Sequence, residues 1–138
     1  MVLVDSCVWI TAAKLQGDIL VKLALEALLT EDEAAFCGPV KLEVLGALRL
    51  EKRKSVLRAM SVVPYLQMLD TQWDEAVRLS WNLRSKGVTV PWNDVLIASI
   101  ALKQNCRVYS IDSDFQAISR AAGLPLYQPG YGGSYNPA

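Results

Sequence analysis

Histidine is missing from all 138 residues of this chain. That one absence removes Ser-His-Asp triads, paired-histidine RNA cleavage and most zinc sites, so hydrolytic chemistry here has to run on carboxylates. Net charge is missing as well, because 14 Lys and Arg balance 14 Asp and Glu. No overall basic surface announces a nucleic-acid partner, and any such partner must be engaged locally. No apolar run reaches the ~18 residues of a membrane span, and the opening MVLVDSCVWI has neither a basic leader nor a small-residue cleavage site. The expectation is a cytoplasmic protein that does not enter a membrane. Cysteine is scarce: Cys7, Cys37 and Cys106 are odd in number, show no CxxC spacing and sit among apolar neighbours. They read as buried thiols rather than as redox or metal groups.

What remains is rich in core formers, with hydrophobic residues at 52% and charged residues at 20%. A chain of this length buries roughly two-thirds of its unfolded surface and needs no disulfide or structural metal. Val2 to Val4 is a short β-prone run ending at Asp5-Ser6, and residues from about Val8 to Thr30 read as helix interrupted near Gly17-Asp18. Ala34 to Cys37 is a second strand, and Gly38-Pro39 opens a helical stretch expected to break around Glu51 to Ser55. Tyr65 to Leu69 is a third strand; Asp70-Thr71 then caps a helix from Trp73 to Ser85. Pro91-Trp92-Asn93-Asp94 introduces a helix to Lys103 that is apolar on nearly every side and therefore belongs inside. Arg107 to Ile111 is a strand, Asp112 starts a helix to about Ala122, and Pro125-Leu126 adds an edge strand. Strands alternating with helices predict an α/β fold with a mostly parallel sheet of four or five strands covered on both faces. Residues 1–127 form the single domain, and Gln128 to Ala138, rich in glycine, proline and tyrosine without periodicity, is expected to be a mobile or loosely docked tail.

In a parallel α/β sheet, ligands bind beyond the carboxyl ends of the strands. Asp5 and Asp112 lie at two such ends. Asp94 lies at a helix N-terminus, which sits at the same edge, and Glu43 lies about one turn into the helix after the second strand. Each acid has an innocent reading: Asp5 and Asp112 as helix caps, Asp94 as a partner of a helix dipole, Glu43 as part of a solvated helix face. Together they are four like charges that repel unless a cation offsets them. Oxygen ligands without histidine point to magnesium or manganese, one ion or two, which acidify water and neutralise charge on a phosphodiester. Ser6 and Ser110 carry hydroxyls near this rim, either for local capping or to orient an acid. Arg49, Lys52, Arg53, Lys54 and Arg58 follow Glu43 and either steer phosphates or form a solvated face. Trp92 either stacks on a base or staples the buried helix; Trp9, Trp73 and Trp81 are assigned to packing.

The segments VLVDSCVWI, KLEVLGAL, PWNDVLIASIAL and VYSIDSDF, in this order from Val2 to about Leu126, resemble the PIN-domain family. In size and layout the chain is most similar to the VapC-type toxins of bacterial toxin–antitoxin pairs. The resemblance implies a three-layer α/β/α sandwich and carries the family's acids onto Asp5, Glu43, Asp94 and Asp112, with Asp114 as an auxiliary position. It also implies an RNA substrate cut endonucleolytically by metal-activated water to a 5′-phosphate and a 3′-hydroxyl, a homodimer, and an antitoxin that blocks the acidic pocket. Housekeeping RNA-processing nucleases resemble the same pattern, and a catalytically inactive PIN-like RNA- or protein-binding module is the non-enzymatic alternative. A phosphatase using an aspartyl nucleophile wants a second aspartate two residues after the first, where this chain has Cys7. Response-receiver domains want an acidic pair and a late lysine, neither of which is evident.

Overall fold

The computed structural model describes residues 1–138. Its elements are β1 (Val2–Val4), α1 (Ser6–Ala13), α2 (Ile19–Thr30), β2 (Ala34–Cys37), α3 (Gly38–Ala47), α4 (Leu50–Met60), β3 (Tyr65–Leu66), α5 (Gln72–Ser85), α6 (Trp92–Lys103), β4 (Arg107–Tyr109) and α7 (Ser113–Ala122). A single 3₁₀ turn follows at Tyr131–Gly133. The strands pair in parallel in the order β3-β2-β1-β4, and Leu126 bridges Val108 on the far side of β4. The predicted edge strand is thus present as a single bridge.

Strand order explains where a site can form. From β1 the chain steps outwards to β2 and β3, then returns across the sheet to β4, so the winding reverses between β1 and β4. Right-handed crossovers place the helices of the first two steps on one face and those of the return step on the other. Accordingly α1 packs on α2 and α3, whereas α5, α6 and α7 pack on one another, and α3 meets α6 at the edge of the sheet. The two loops leaving β1 and β4 diverge there and open a crevice at the strands' carboxyl ends.

Burial follows the parallel pattern of continuous apolar strands rather than alternation. Val2, Leu3 and Val4 are fully buried, as are Ile97, Ala98, Ile100 and Ala101 of α6. The nearly all-apolar α6 is the central helix of its layer, as its sequence requires.

Some local expectations differ from the structure. The helical break lies at Leu48–Arg49, both extended, rather than at Glu51 to Ser55. Glu, Lys and Arg are good helix formers, so the charged run continues α4, while the Arg53 Nε donates to the Leu48 carbonyl at 3.1 Å and satisfies the end of α3. β3 stops at Leu66, because the Leu69 N–H turns to the Gln72 side chain at 2.6 Å rather than to a neighbouring strand. Trp73, Trp81 and Trp92 are 54%, 66% and 67% exposed, and of the four tryptophans Trp9 alone lies in the core. The C-terminal segment, expected to be mobile or loosely docked, lies against the domain: Tyr135 stacks on the buried Tyr127, which also meets Tyr109 and has Arg107 over its ring. Arg107 also donates to the Asn136 carbonyl, and Gly133 rests directly on the backbone of α2. Its tyrosines contribute area that glycine and proline hid from a periodicity reading.

Candidate active site

Asp5 leaves β1 as the N-cap of α1 with an extended backbone. Both of its carboxylate oxygens are occupied. Oδ1 accepts from the Ser6 N–H at 2.8 Å and more weakly from the Ser6 hydroxyl at 3.4 Å, while Oδ2 accepts from the Ser110 hydroxyl at 2.8 Å and the Cys7 thiol at 3.1 Å. Ser6 is thus a local cap, and Ser110 spans the crevice. The Ser110 Oγ also accepts from the Asp112 N–H at 3.0 Å, tying the loop after β4 to the carboxylate after β1. Asp112 in turn caps α7, its Oδ1 accepting from the Asp114 N–H at 3.0 Å. The capping reading and the cluster reading of Asp5 and Asp112 therefore hold together, since capping is what fixes each side chain at the rim.

Asp94 enters from the first turn of α6 and is only 8% exposed. Its pKa is pushed up to about 7, first by burial, then by the negative charges of Asp5, Asp112 and Asp114, and finally by a hydrogen bond to Asp114 that favours the protonated form. One oxygen of each of Asp94, Asp112 and Asp114 lies within 4.8 Å of the others. Asp114, expected in an auxiliary position, sits inside this tight set. Asp5 is close enough for its charge to act on Asp94, but its oxygens are already taken by hydrogen-bond donors.

Glu43 is not in the tight set. It is half-buried on α3, and its Oε1 accepts from the Asn93 Nδ2 at 2.6 Å. Asn93 immediately precedes Asp94, so the fourth acid is joined to the others through α6 rather than directly. Arg49 and Arg53 are exposed and Lys52 is half-buried at the α3–α4 corner, and Arg53 spends its Nε on the helix end.

Two residues at the site escaped the sequence reading. Asn93 had a signal in its position between Trp92 and Asp94. Cys7 had only its spacing from Asp5, and its apolar neighbours concealed it. Unlike the buried Cys37 and Cys106 it is half-buried, within 3.4 Å of the Ser110 hydroxyl, and burial together with Asp5 pushes its thiol up to about 11.

The donor set suits a hard divalent cation. It offers carboxylate oxygens without histidine, three of them mutually within reach, and the buried Oδ2 of Asp94 has no hydrogen-bond partner in the chain. A buried, unpartnered carboxylate oxygen among like charges is costly, and coordination relieves both the desolvation and the repulsion. Asp94, Asp112 and Asp114 are the residues placed to hold such an ion.

Comparison with known families agrees with this geometry. The PIN domain model matches residues 2–121, which include every acid described above. The chain belongs to the PIN-domain family. Its curated relatives include a VapC ribonuclease of Mycobacterium bovis and Ribonuclease VapC11 of Mycobacterium tuberculosis, each 31% identical over 129 residues, covering 90% of this chain and 96% of the relative. Among solved structures, VapBC2 of Rickettsia felis bound to a promoter DNA fragment superposes with a TM-score of 0.73 at 22% identity, over 92% of this chain and 98% of that one. FitAcB of Neisseria gonorrhoeae gives 0.72 at 17% identity over 93% and 97%, and a toxin–antitoxin complex of Klebsiella pneumoniae 0.69 at 20% over 100% and 98%. At these identities the likeness is one of overall fold.

Proposed function

We propose that this chain is an endoribonuclease that hydrolyses RNA phosphodiester bonds with Mg²⁺ or Mn²⁺, acting in the cytoplasm as the toxin of a toxin–antitoxin pair. The observation that carries the reading is Asp94, buried with an unpartnered oxygen among Asp5, Asp112 and Asp114, an arrangement whose ionised form a bound cation would stabilise. A divalent ion held there supplies charge neutralisation at the phosphoryl group and acidifies water for attack. The chain's own contribution is to fix the ligands. Asp5, saturated with donors, holds the loop of Ser110 and Asp112 in place, while Asp112 caps α7 and Asp114 stands in its first turn. Glu43, bonded to Asn93 beside Asp94, would add a carboxylate from α3. Arg49, Lys52 and Arg53 supply positive charge for the phosphate backbone at the α3–α4 corner.

The curated relatives are named ribonucleases, and the structural neighbours include complexes of toxin with antitoxin. They support RNA as the substrate and a small protein antitoxin as partner. For a homodimer, the exposed face of α5 and α6 carrying Trp73, Val77, Trp81 and Trp92 is the surface suited to a second copy. Its charges are self-complementary: Asp74 lies in the first turn of α5 and Arg84 in the last, so two antiparallel α5 helices set acid against base, as a two-fold interface requires.

Purified protein is expected to cut unstructured RNA in Mg²⁺ or Mn²⁺ and not in EDTA, leaving 5′-phosphate ends. Asp5→Asn, Asp94→Asn and Asp112→Asn are expected to abolish cutting without unfolding the chain. Full activity of these variants, or in EDTA, rejects the assignment. Trp81→Glu is expected to shift the protein from dimer to monomer by light scattering.

A further inference from the structure

From the contact between α3 and α6, we infer that Asn93 is a positioning residue that holds Glu43 as the fourth acid of the ion site. This rests on the metal-dependent reading above and names a residue that the four-acid pattern does not include. Glu43 needs such a partner for a geometric reason. Asp5 and Asp112 are oriented by backbone N–H groups as the N-caps of α1 and α7, whereas Glu43 lies inside α3, where the helix's own bonds occupy the backbone N–H groups. A glutamate side chain there has rotamer freedom that binding an ion would have to remove. The Asn93 Nδ2 contact at 2.6 Å removes it beforehand.

The chemistry of the donor matters as much as its position. An amide donates to a carboxylate without bringing a charge, so Glu43 keeps its full negative charge for a cation. A lysine at this position would satisfy the carboxylate by neutralising it, and an aspartate would repel it. The amide reaches only Oε1, and Oε2 has no hydrogen-bond partner in the chain. Asn93 also shares the first turn of α6 with Asp94, so a single helical turn sets two acids from different elements: Asp94 with Asp112 and Asp114, and Asn93 with Glu43. Registry between α3 and α6 is thereby translated into the spacing of the ligands.

The test is a double-mutant cycle on the full chain, read by Mn²⁺ affinity of the RNA-free protein and by kcat and KM on RNA. Asn93→Ala is expected to weaken Mn²⁺ binding and lower kcat by about tenfold each, with KM and Tm close to wild type. Asn93→Asp, equal in shape but without the donor, should lose more than Asn93→Ala. In a Glu43→Gln background Asn93→Ala should cost nothing further. Equal losses from Asn93→Ala in both backgrounds, an Asn93→Asp variant that works as well as wild type, or unchanged Mn²⁺ affinity and kcat in Asn93→Ala would overturn the inference. Wild-type protein that binds Mn²⁺ but cuts no RNA would instead defeat the nuclease reading, and the binding cycle would still decide the role of Asn93. Wild-type protein that binds no Mn²⁺ defeats both.

Discussion

Replacing Asp94 by asparagine should make the metal-free protein more stable while removing its activity. A carboxyl whose pKa is 3.8 in the unfolded chain and about 7 in the fold holds its proton more tightly when folded. Its favourable contribution is therefore complete below about pH 4 and is lost as the pH rises through about 7. At ~1.4 kcal/mol per pH unit the loss is at most about 4 kcal/mol. Water and counter-ions reach the site through the exposed Asp112, which reduces the expected loss to roughly 2–3 kcal/mol. Asparagine has nearly the same shape and stays neutral. The two proteins should match in stability near pH 4, and the variant should exceed wild type by about 2–3 kcal/mol at pH 8. Urea unfolding in EDTA between pH 4 and 8, followed by tryptophan fluorescence, measures this, and the difference between the proteins cancels most of the titration that they share. Saturating Mn²⁺ should reverse the order at pH 8, because only the wild type is stabilised by binding it. A difference that does not change with pH, or an asparagine variant less stable than wild type at pH 8 in EDTA, would refute the account of Asp94 as a carboxylate held at a cost for an ion.

Other consequences can be checked in the same protein. Gly133 has φ +85°, and a Cβ there would meet the Ala24 nitrogen at 3.0 Å and the Leu20 oxygen at 3.2 Å, so Gly133→Ala should cost about 1–3 kcal/mol in urea unfolding and leave cutting intact. Ser110→Ala removes the one hydroxyl that bridges Asp5 and the Asp112 N–H; a loss of about 1 kcal/mol in stability is expected, with a fall in kcat of about tenfold and little change in KM. The Cys7 thiol, held up at about 11 by burial and by Asp5, should react with a thiol reagent at pH 8 much more slowly than an unfolded control does. Rapid labelling of the native protein would contradict the hydrogen bond to Asp5.

Much of the outline was legible because its signals are local. Val2 to Val4 and Ala34 to Cys37 are runs of apolar residues too short for helices, and Pro39 starts α3. The acids could be named because each stands at the end of such an element. The position of the α3–α4 break could not, since Glu51 to Ser55 look like a break by charge and are helical by propensity. Nor could the exposure of Trp73, Trp81 and Trp92, because a tryptophan on a helix has the same hydrophobicity whether its face meets the core or an outer surface.

The residue pattern by itself determined that there would be a parallel sheet, that histidine would take no part in the chemistry, and that carboxylates would stand at the ends of strands and starts of helices. Only the tertiary structure decided which carboxylates share a pocket. Asp94, Asp112 and Asp114 converge and Glu43 is joined to them through Asn93 because α3, α6 and α7 are brought to one edge by the reversal of winding between β1 and β4. Proximity across 50 residues, as between Glu43 and Asn93, depends on how layers pack. Local propensity carries no record of it.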